Sequence, residues 1–392
     1  MKDKTIVLIS LILITMFLSG CHHRLPEHHL VLIKTSFNRL PEWEKDEHKK
    51  ALASFQRSCE AITKLDPSRP FMFSIAQSGK VEKWQKVCQA VGDIKSYDNL
   101  RARKFFEFWF EPYQVRDNFN TQGLFTGYYL PELHGSLEWS EHYSNPIYAI
   151  PSDWVKVNLG LFDKALSGRT IVGQLKDKQV RPYPSRANIM RSAIGKDTKI
   201  LAWCDNEIDL AFAHIQGSAV VQLPHGKQFL INYAASNGRP YTSIGKVLIK
   251  NRDLTPQNSS MQDIRSWLLQ HPRETDTILN QNASYVFFKI LENESPLGSE
   301  QVPLTPERSL AVDKRYIPLG VPIWLDTMIP SEHSQKLLPF HRLLIAQDTG
   351  GAIKGIIRGD IYWGSGNRAA FVAGHMKSPG SYWILLPKSD LN

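Results

Sequence analysis

The sequence lacks the short motifs that identify several large enzyme classes. It contains no Gly-x-Ser-x-Gly elbow, no His-Glu-x-x-His pair and no phosphate-binding loop, which argues against serine esterases, zinc peptidases and nucleoside triphosphatases. The 47 lysines and arginines exceed the 38 aspartates and glutamates, but no basic run is dense enough to indicate nucleic acid. The net charge of +9 instead suits an anionic surface or a carboxylate-bearing polymer.

The histidines near the start of the chain lack the spacing of a metal site. His22, His23, His28 and His29 have no cysteine or carboxylate at ligand spacing, so a solvated tether is the favoured interpretation. We therefore expect neither a metal nor a cofactor.

Long apolar runs are scarce, and the clearest one lies at the start of the chain. Residues 6–18 follow two lysines and precede Leu-Ser-Gly-Cys, a pattern typical of a secretory signal and too short to span a bilayer comfortably. The tetrad resembles a bacterial lipobox, which predicts removal of residues 1–20 and lipidation of Cys21. His22, in place of the aspartate that marks inner-membrane retention, points to the periplasmic face of the outer membrane. The alternatives are an uncleaved anchor and a cysteine that is there by chance.

Cysteine is also scarce, with four residues in the chain. Apolar spacing predicts two helices within residues 43–91, separated by proline-containing turns at 66–70. Cys59 and Cys88 lie on either side of this break, and in an exported chain they are candidates for a disulfide. Cys204 is then left over, and we expect it to be a buried thiol.

The chain is longer than one hydrophobic core usually serves, so two domains are expected. Residues 132–235 contain short β-like runs at 147–150, 200–203, 219–223 and 228–233, punctuated by glycine, proline and asparagine. This pattern of short runs and turn residues predicts a β-rich domain inserted into a first domain that is formed by residues 21–131 and 236–392.

Outside that insert, local patterns predict individual elements. Residues 123–130 predict a short strand that ends at a site, although an ordinary edge strand would look the same. Residues 244–249 and 260–269 predict helices, the second beginning with a capping box at Ser260. Residues 282–291 predict a buried strand.

Two aspartates lie within apolar, glycine-containing sequence at residues 343–366. Burying a carboxylate costs several kcal/mol unless it is paired or protonated, so Asp348 and Asp360 are either catalytic or parts of satisfied turns. An aspartic peptidase would need a symmetric dimer, because Asp-Thr-Gly occurs once. The Gly-x-Gly-x-x-Ala at 364–369 lacks the acidic partner and βαβ context of a dinucleotide site.

Several segments together resemble the lytic murein transglycosylase A family, whose C-terminal part contains the "3D" domain. The resemblance is carried by GLFTGYYLP at 123–131, IQGS at 215–218, SIGKVLI at 243–249, SYVFF at 284–288, LAVDKRYIPLGVPIWLDT at 310–327 and AQDTGGAIKGIIRGDIYWGSG at 346–366. Ala219 departs from the family, which commonly has glycine after Gln-Gly-Ser. The resemblance implies cleavage of the β-1,4 bond between N-acetylmuramic acid and N-acetylglucosamine in peptidoglycan, without water, to give 1,6-anhydromuramoyl products.

The resemblance also implies a fold. It is mainly β with flanking helices: a double-psi β-barrel domain with a second, inserted β-domain, and the glycan strand in the groove between them. The expected partners are peptidoglycan glycan strands, the membrane through the lipid on Cys21, and possible cell-wall synthesis proteins, with no nucleic acid.

Residue roles are carried over by position. The resemblance implies that Asp360 is the catalytic acid that later acts as base, and we expect Asp348 to position it or tune its pKa. Asp313 holds the barrel, Lys354 steadies charge near the cleavage site, and the expected glycan contacts are Thr126, Tyr128 and Gln216.

Two other functions remain open at this stage. A cell-wall binding lipoprotein could keep the groove without the chemistry, although the presence of all three aspartates disfavours it. A hydrolytic muramidase could use Asp348 and Asp360 as its carboxylate pair and would give reducing-end products.

Overall fold

The computed structural model describes residues 28–72, 75–92, 98–191, 194, 195, 197–292 and 295–389. The predicted signal segment and Cys21 lie outside these residues. Within them, no helix has both the length and the apolar character needed to cross a membrane.

The described residues are mainly β, with flanking helices. The strands are β1 Leu30–Lys34, β2 Phe110–Asp117, β3 Gly123–Leu130, β4 Glu132–Ser136, β5 Asn145–Tyr148, β6 Trp154–Asn158, β7 Thr170–Lys176, β8 Gln179–Pro182, β9 Ile200–Cys204, β10 Ser218–Gln222, β11 Gln228–Ser236, β12 Val286–Leu291, β13 Ser309–Val312, β14 Pro322–Ser331, β15 Ser334–Asp348, β16 Arg358–Ser365 and β17 Lys377–Pro387. The α-helices are α1 His48–Ile62, α2 Val81–Gly92, α3 Asn99–Trp109, α4 Arg186–Met190, α5 Glu207–Gln216, α6 Ile244–Asn251, α7 Met261–Gln270, α8 Pro272–Leu279 and α9 Gly366–His375.

Six strands close into a barrel in the order β17-β14-β15-β13-β16-β3, and a pairing of β3 with β17 completes the circle. β2 and β1 extend the sheet from β17. Alternation along each strand sends one set of side chains, such as Leu310 and Ile361, into the barrel core and the other set outwards. Closure removes the free edges that an open sheet would expose.

Two glycines allow strands and helices to approach closely around β3. A Cβ on Gly127 would lie 2.4 Å from Nε1 of Trp363, and one on Gly359 would lie 2.9 Å from both Leu310 and Phe125. Any larger residue would therefore push the neighbouring elements apart at the strands that carry the site.

Helices α1 and α2 form the hairpin that the sequence predicts, and a disulfide joins Cys59 to Cys88. Just before α1, Asp46 forms a fully buried bidentate pair with Arg308, at 2.7 and 2.8 Å. From α1 itself, Ser54 and Ser58 exchange hydrogen bonds with the buried side chain of Gln347 on β15. The helical hairpin is thus fastened to the strand that ends at Asp348.

A second sheet has the strand order β12-β11-β10-β4-β9-β5, and a third pairs β6, β7 and β8. The β-like runs predicted between residues 147 and 233 correspond to β5, β9, β10 and β11 of the second sheet. Helix α5 is a difference, because this stretch was expected to be β-rich. The Asn206 side chain caps it by accepting hydrogen bonds from the amides of Ile208 and Asp209.

The outer face of the barrel packs against the second sheet. Tyr128, Ala311 and Tyr362 from the barrel share an apolar cluster with Leu230 of β11. The second sheet therefore covers these outward-facing side chains of β3, β13 and β16. The polar residues beside the cluster lie where the barrel and the second sheet meet.

Candidate active site

Asp348 and Asp360 lie in one row across the outer face of the barrel. Strand pairing aligns Asp348 with Ala311, Ala311 with Asp360, and Asp360 with Thr126. Directly paired residues present their side chains on the same face, so the row carries carboxylate, methyl, carboxylate and hydroxyl in succession. Two strand spacings separate the backbones of the aspartates, about 9.6 Å.

A hydrogen-bond relay fixes the Asp360 carboxyl. Arg358 donates from Nη2 to Oγ1 of Thr126 at 2.8 Å, and Thr126 Oγ1 lies 2.5 Å from Oδ1 of Asp360. Because a guanidinium can only donate, the Thr126 oxygen accepts from Arg358, and its single proton is directed to Asp360. Oδ1 is thus an acceptor, and a proton carried by Asp360 belongs on Oδ2.

The surroundings of Asp360 favour its neutral form. Burial raises the pKa of the Asp360 carboxyl above its ordinary value, and the charge of Asp348 adds to the increase. The Arg358 cation and the Thr126 hydrogen bond act in the opposite direction but do not reverse it. Such a carboxyl retains its proton to higher pH than an exposed aspartate, as a general acid requires.

Asp348 has a different environment, because three donors surround it. Tyr128 donates its hydroxyl to Oδ2 at 2.9 Å, and the amides of Ser299 and Thr349 donate to Oδ1 at 2.9 and 2.8 Å. Burial raises the pKa of this carboxyl too, while hydrogen bonds from Thr349, from the amide and side chain of Ser299, and from Tyr128 oppose that increase. Tyr128 reaches Asp348 from β3, across β16 and β13.

Two other predicted site residues, Gln216 and Lys354, lie on different elements of the fold. Gln216, at the end of α5, accepts a hydrogen bond from the amide of Tyr129 at 3.0 Å and so ties the helix to β3. Lys354 is exposed in the loop before β16.

Asp313 lies just after β13 and contacts neither of the other two aspartates. It accepts from Arg315 Nε at 2.9 Å and from the amide of Gly355 at 2.9 Å. Burial opposes its charged form, but these donors outweigh burial and hold the pKa of Asp313 below its ordinary value. Asp313 thereby fastens the loop that precedes β16.

Two pockets are each lined by a residue that interacts electrostatically with Asp360. An apolar pocket is formed by α5, α6, α7, α8 and α9 and is lined by residues that include Ile215, Tyr241, Met261 and Ala373. Burial raises the pKa of the Tyr241 hydroxyl, and the negative charge of Asp360 raises it further. A polar pocket is lined by Asn120, Gln122, Leu124, Lys354 and Arg358, among others.

Sequence reasoning missed three residues of this arrangement. Arg358 stands two positions before Asp360 on the same strand, so strand alternation alone could have placed it on the same face. Ser299 contacts Asp348 through its backbone amide, and Tyr241 reaches the site from a loop, so neither left a signal in the sequence pattern.

Comparison with known proteins decides the family. Residues 124–289 match the family described as MltA specific insert domain, and residues 308–386 match the 3D domain. The membrane-bound lytic murein transglycosylase A of Escherichia coli strain K12 is 31% identical over 332 residues, which cover 83% of this chain and 80% of that protein. The chain belongs to the membrane-bound lytic murein transglycosylase A family.

Other members of the transglycosylase A family agree with this assignment. A homolog from Buchnera aphidicola is 32% identical over 263 residues, which cover 66% of this chain and 65% of the homolog, just under two thirds of its length. The crystal structure of the membrane-bound lytic murein transglycosylase of Agrobacterium tumefaciens aligns with a TM-score of 0.80 at 30% identity, covering 91% of this chain and 97% of that chain. The structure of the Escherichia coli protein with bound chitohexaose aligns with a TM-score of 0.62 at 27% identity, covering 86% and 90%.

Proposed function

We propose that this protein is a peptidoglycan lytic transglycosylase that cleaves the β-1,4 bond between N-acetylmuramic acid and N-acetylglucosamine and releases 1,6-anhydromuramoyl products. The observation that carries the proposal is Asp360, a carboxyl with a raised pKa whose Oδ1 is occupied by Thr126, leaving Oδ2 for a substrate. Family membership supports it, as does a similar protein that binds the oligosaccharide chitohexaose.

In the first step, Asp360 acts as a general acid. Its Oδ2 proton passes to the glycosidic oxygen as the bond between that oxygen and C1 of the muramoyl sugar breaks. The leaving N-acetylglucosamine gains a hydroxyl, and positive charge develops at C1 and the ring oxygen. Asp360 becomes a carboxylate, which the Thr126 hydroxyl and the nearby Arg358 cation stabilise.

In the second step, the same carboxylate acts as the base. The O6 hydroxyl of the muramoyl sugar attacks C1, and its proton moves to Asp360, which returns to its starting state. One bond to C1 is broken and one is formed, and no water is consumed. One acid–base residue therefore serves both steps, whereas common hydrolytic glycosidases pair an acid with a separate nucleophile or base.

We assign Asp348 to the placement of charge rather than to proton transfer. Its oxygens are engaged by Tyr128, Ser299 and Thr349, so it is poorly placed to activate a water molecule. Its negative charge raises the pKa of Asp360. Thr126, Tyr128 and Gln216 remain proposed glycan contacts, and Asp313 supports the loop that carries Lys354.

We further propose that the mature chain is attached by a lipid on Cys21 to the periplasmic face of the outer membrane, where it would meet glycan strands and possible cell-wall synthesis proteins. The membrane-bound names of its relatives support attachment. The division into residues 21–131, 132–235 and 236–392 and the double-psi topology of the barrel also stay predictions.

The deciding experiment is mass spectrometry of fragments that the purified protein releases from sacculi. We expect products one water lighter than hydrolysed muropeptides. Asp360→Asn should reduce their rate of release by about two to four powers of ten, because it removes the general acid. Asp326→Asn is the matched control, since Asp326 lies on β14 with His341 as its partner at 3.0 Å and should leave the rate unchanged.

Other products would change the assignment. Reducing-end fragments from the wild-type protein would indicate a hydrolytic muramidase. Retained sacculus binding without released fragments would indicate a wall-binding lipoprotein. Wild-type turnover by Asp360→Asn would remove Asp360 from the mechanism.

A further inference from the structure

The polar pocket is lined by Arg358, whose cation acts on the Asp360 carboxyl. Arg358 and Asp360 are two residues apart on β16, and Leu124 and Thr126 are two apart on the paired strand β3, so all four side chains lie on one face. Arg358 is separated from Asp360 by two short hydrogen bonds through Thr126, of 2.8 and 2.5 Å. Lys354 and Arg358 line the same pocket.

The two positive charges in this pocket form no direct ion pair within the described residues, although the Asp360 carboxylate acts on Arg358 at longer range. Arg358 donates to Thr126 and to the carbonyl oxygens of Leu124 and Gly359, which are neutral acceptors. Within the described part of the chain, neither Lys354 nor Arg358 lies within ion-pair distance of a carboxylate. Asp117 also lines the pocket, but His28 is its partner at 2.6 Å. Unpaired cations beside a binding groove indicate an anionic ligand.

The substrate of the proposed function carries a suitable group near the cleaved bond. Muramic acid differs from glucosamine by a lactyl ether on O3, two ring carbons from C1. Its carboxyl is free in peptide-stripped glycan, and otherwise it is amide-linked to a stem peptide that bears further carboxylates. Because Asp360 must lie within about 3 Å of the glycosidic oxygen, a substituent on the adjacent sugar carbons can reach the pocket beside Asp360.

We propose that the pocket formed by Lys354 and Arg358 binds a carboxylate carried by the muramoyl substituent, from the lactyl group or from the stem peptide. This inference rests on the proposed function and adds a specificity element to it. The pocket favours muramoyl-containing glycan over neutral oligomers of N-acetylglucosamine. Three of the five N–H donors of Arg358 are used by protein oxygens, which leaves two for a carboxylate, and Lys354 adds a positive charge at the rim.

Binding measurements on an Asp360→Asn background test this without turnover. The ligands are neutral chitohexaose, amidase-stripped glycan with free lactyl carboxylates, and peptide-bearing glycan. Lys354→Met should weaken binding of at least one carboxylate-bearing glycan about two- to tenfold at low salt, the range for a partly exposed charge pair. Chitohexaose binding should stay unchanged, and Lys354→Arg should restore the lost affinity. Lys336→Met, in the exposed β14–β15 hairpin, is the matched control and should have no effect.

The pattern of loss identifies the source of the carboxylate. A loss confined to stripped glycan assigns the lactyl group, and a loss with peptide-bearing glycan assigns the stem. In both cases added salt should reduce the difference between wild-type and Lys354→Met proteins. Equal losses for all three ligands, or no loss for any, would overturn the proposal. Failure of the proposed function would be visible separately, as the absence of anhydro products from the protein with Asp360 intact.

Discussion

Replacing Thr126 with valine tests the relay that controls the catalytic proton. Valine keeps the shape of the side chain but removes the hydroxyl that donates to Asp360 Oδ1 and accepts from Arg358. The donated hydrogen bond stabilises the ionised carboxylate more than the neutral acid, so it lowers the pKa of Asp360. Removing the bond should therefore raise that pKa.

The expected size follows from the bond's strength. Hydrogen bonds to charged groups contribute about 1.5–3 kcal/mol, and part of this is also available to the neutral acid. A difference of about 1.4 kcal/mol between the two protonation states corresponds to one pH unit. Because the proposed mechanism requires a protonated Asp360, the alkaline limb of kcat/KM should move to higher pH by about one pH unit.

The assay is the initial rate of release of anhydromuropeptides from sacculi, measured across pH for wild type, Thr126→Val and Thr126→Ser. The serine variant keeps a hydroxyl and should retain the wild-type limb. The reasoning is refuted if the limb of the valine variant stays in place, or if it moves to lower pH. The second result would mean that Arg358 pairs directly with Asp360 once the threonine oxygen is gone.

Two further predictions concern stability. Arg308→Met leaves the buried Asp46 carboxylate without its bidentate partner and should lower the free energy of unfolding by about 3–5 kcal/mol. Arg368→Met removes a partly exposed ion pair and should lower the free energy of unfolding by less than about 1 kcal/mol. Similar losses for the two variants in denaturant titrations would contradict this prediction. Burial raises the pKa of Glu300 to about 7 despite a hydrogen bond from Ser58, so the native state binds more protons than the unfolded state between the unfolded pKa and about 7. Stability should fall as pH rises through that window, and Glu300→Gln should reduce this fall in unfolding measured across pH.

Local elements were predictable where a short stretch contains its own signals. The strand at 123–130, the helix after Ser260 with its capping box, and the helical hairpin at 43–91 all depend on neighbouring residues, and the structure confirms them. Helix α5 was missed because the short β-like runs on both sides of it predicted a β-rich domain. Its Asn206 cap was the available signal.

The sequence by itself singled out the two aspartates that are proposed to carry chemistry, because an unpaired buried carboxylate in an apolar run is costly and needs an explanation. Family resemblance could name Asp360, but not its environment. Only the tertiary structure aligned Asp348, Ala311, Asp360 and Thr126 in one row, since closure of the barrel joins strands that are far apart in the chain. Direction and register across such a sheet are set by packing of the whole core, so the Arg358–Thr126–Asp360 relay follows from the fold rather than from any local pattern.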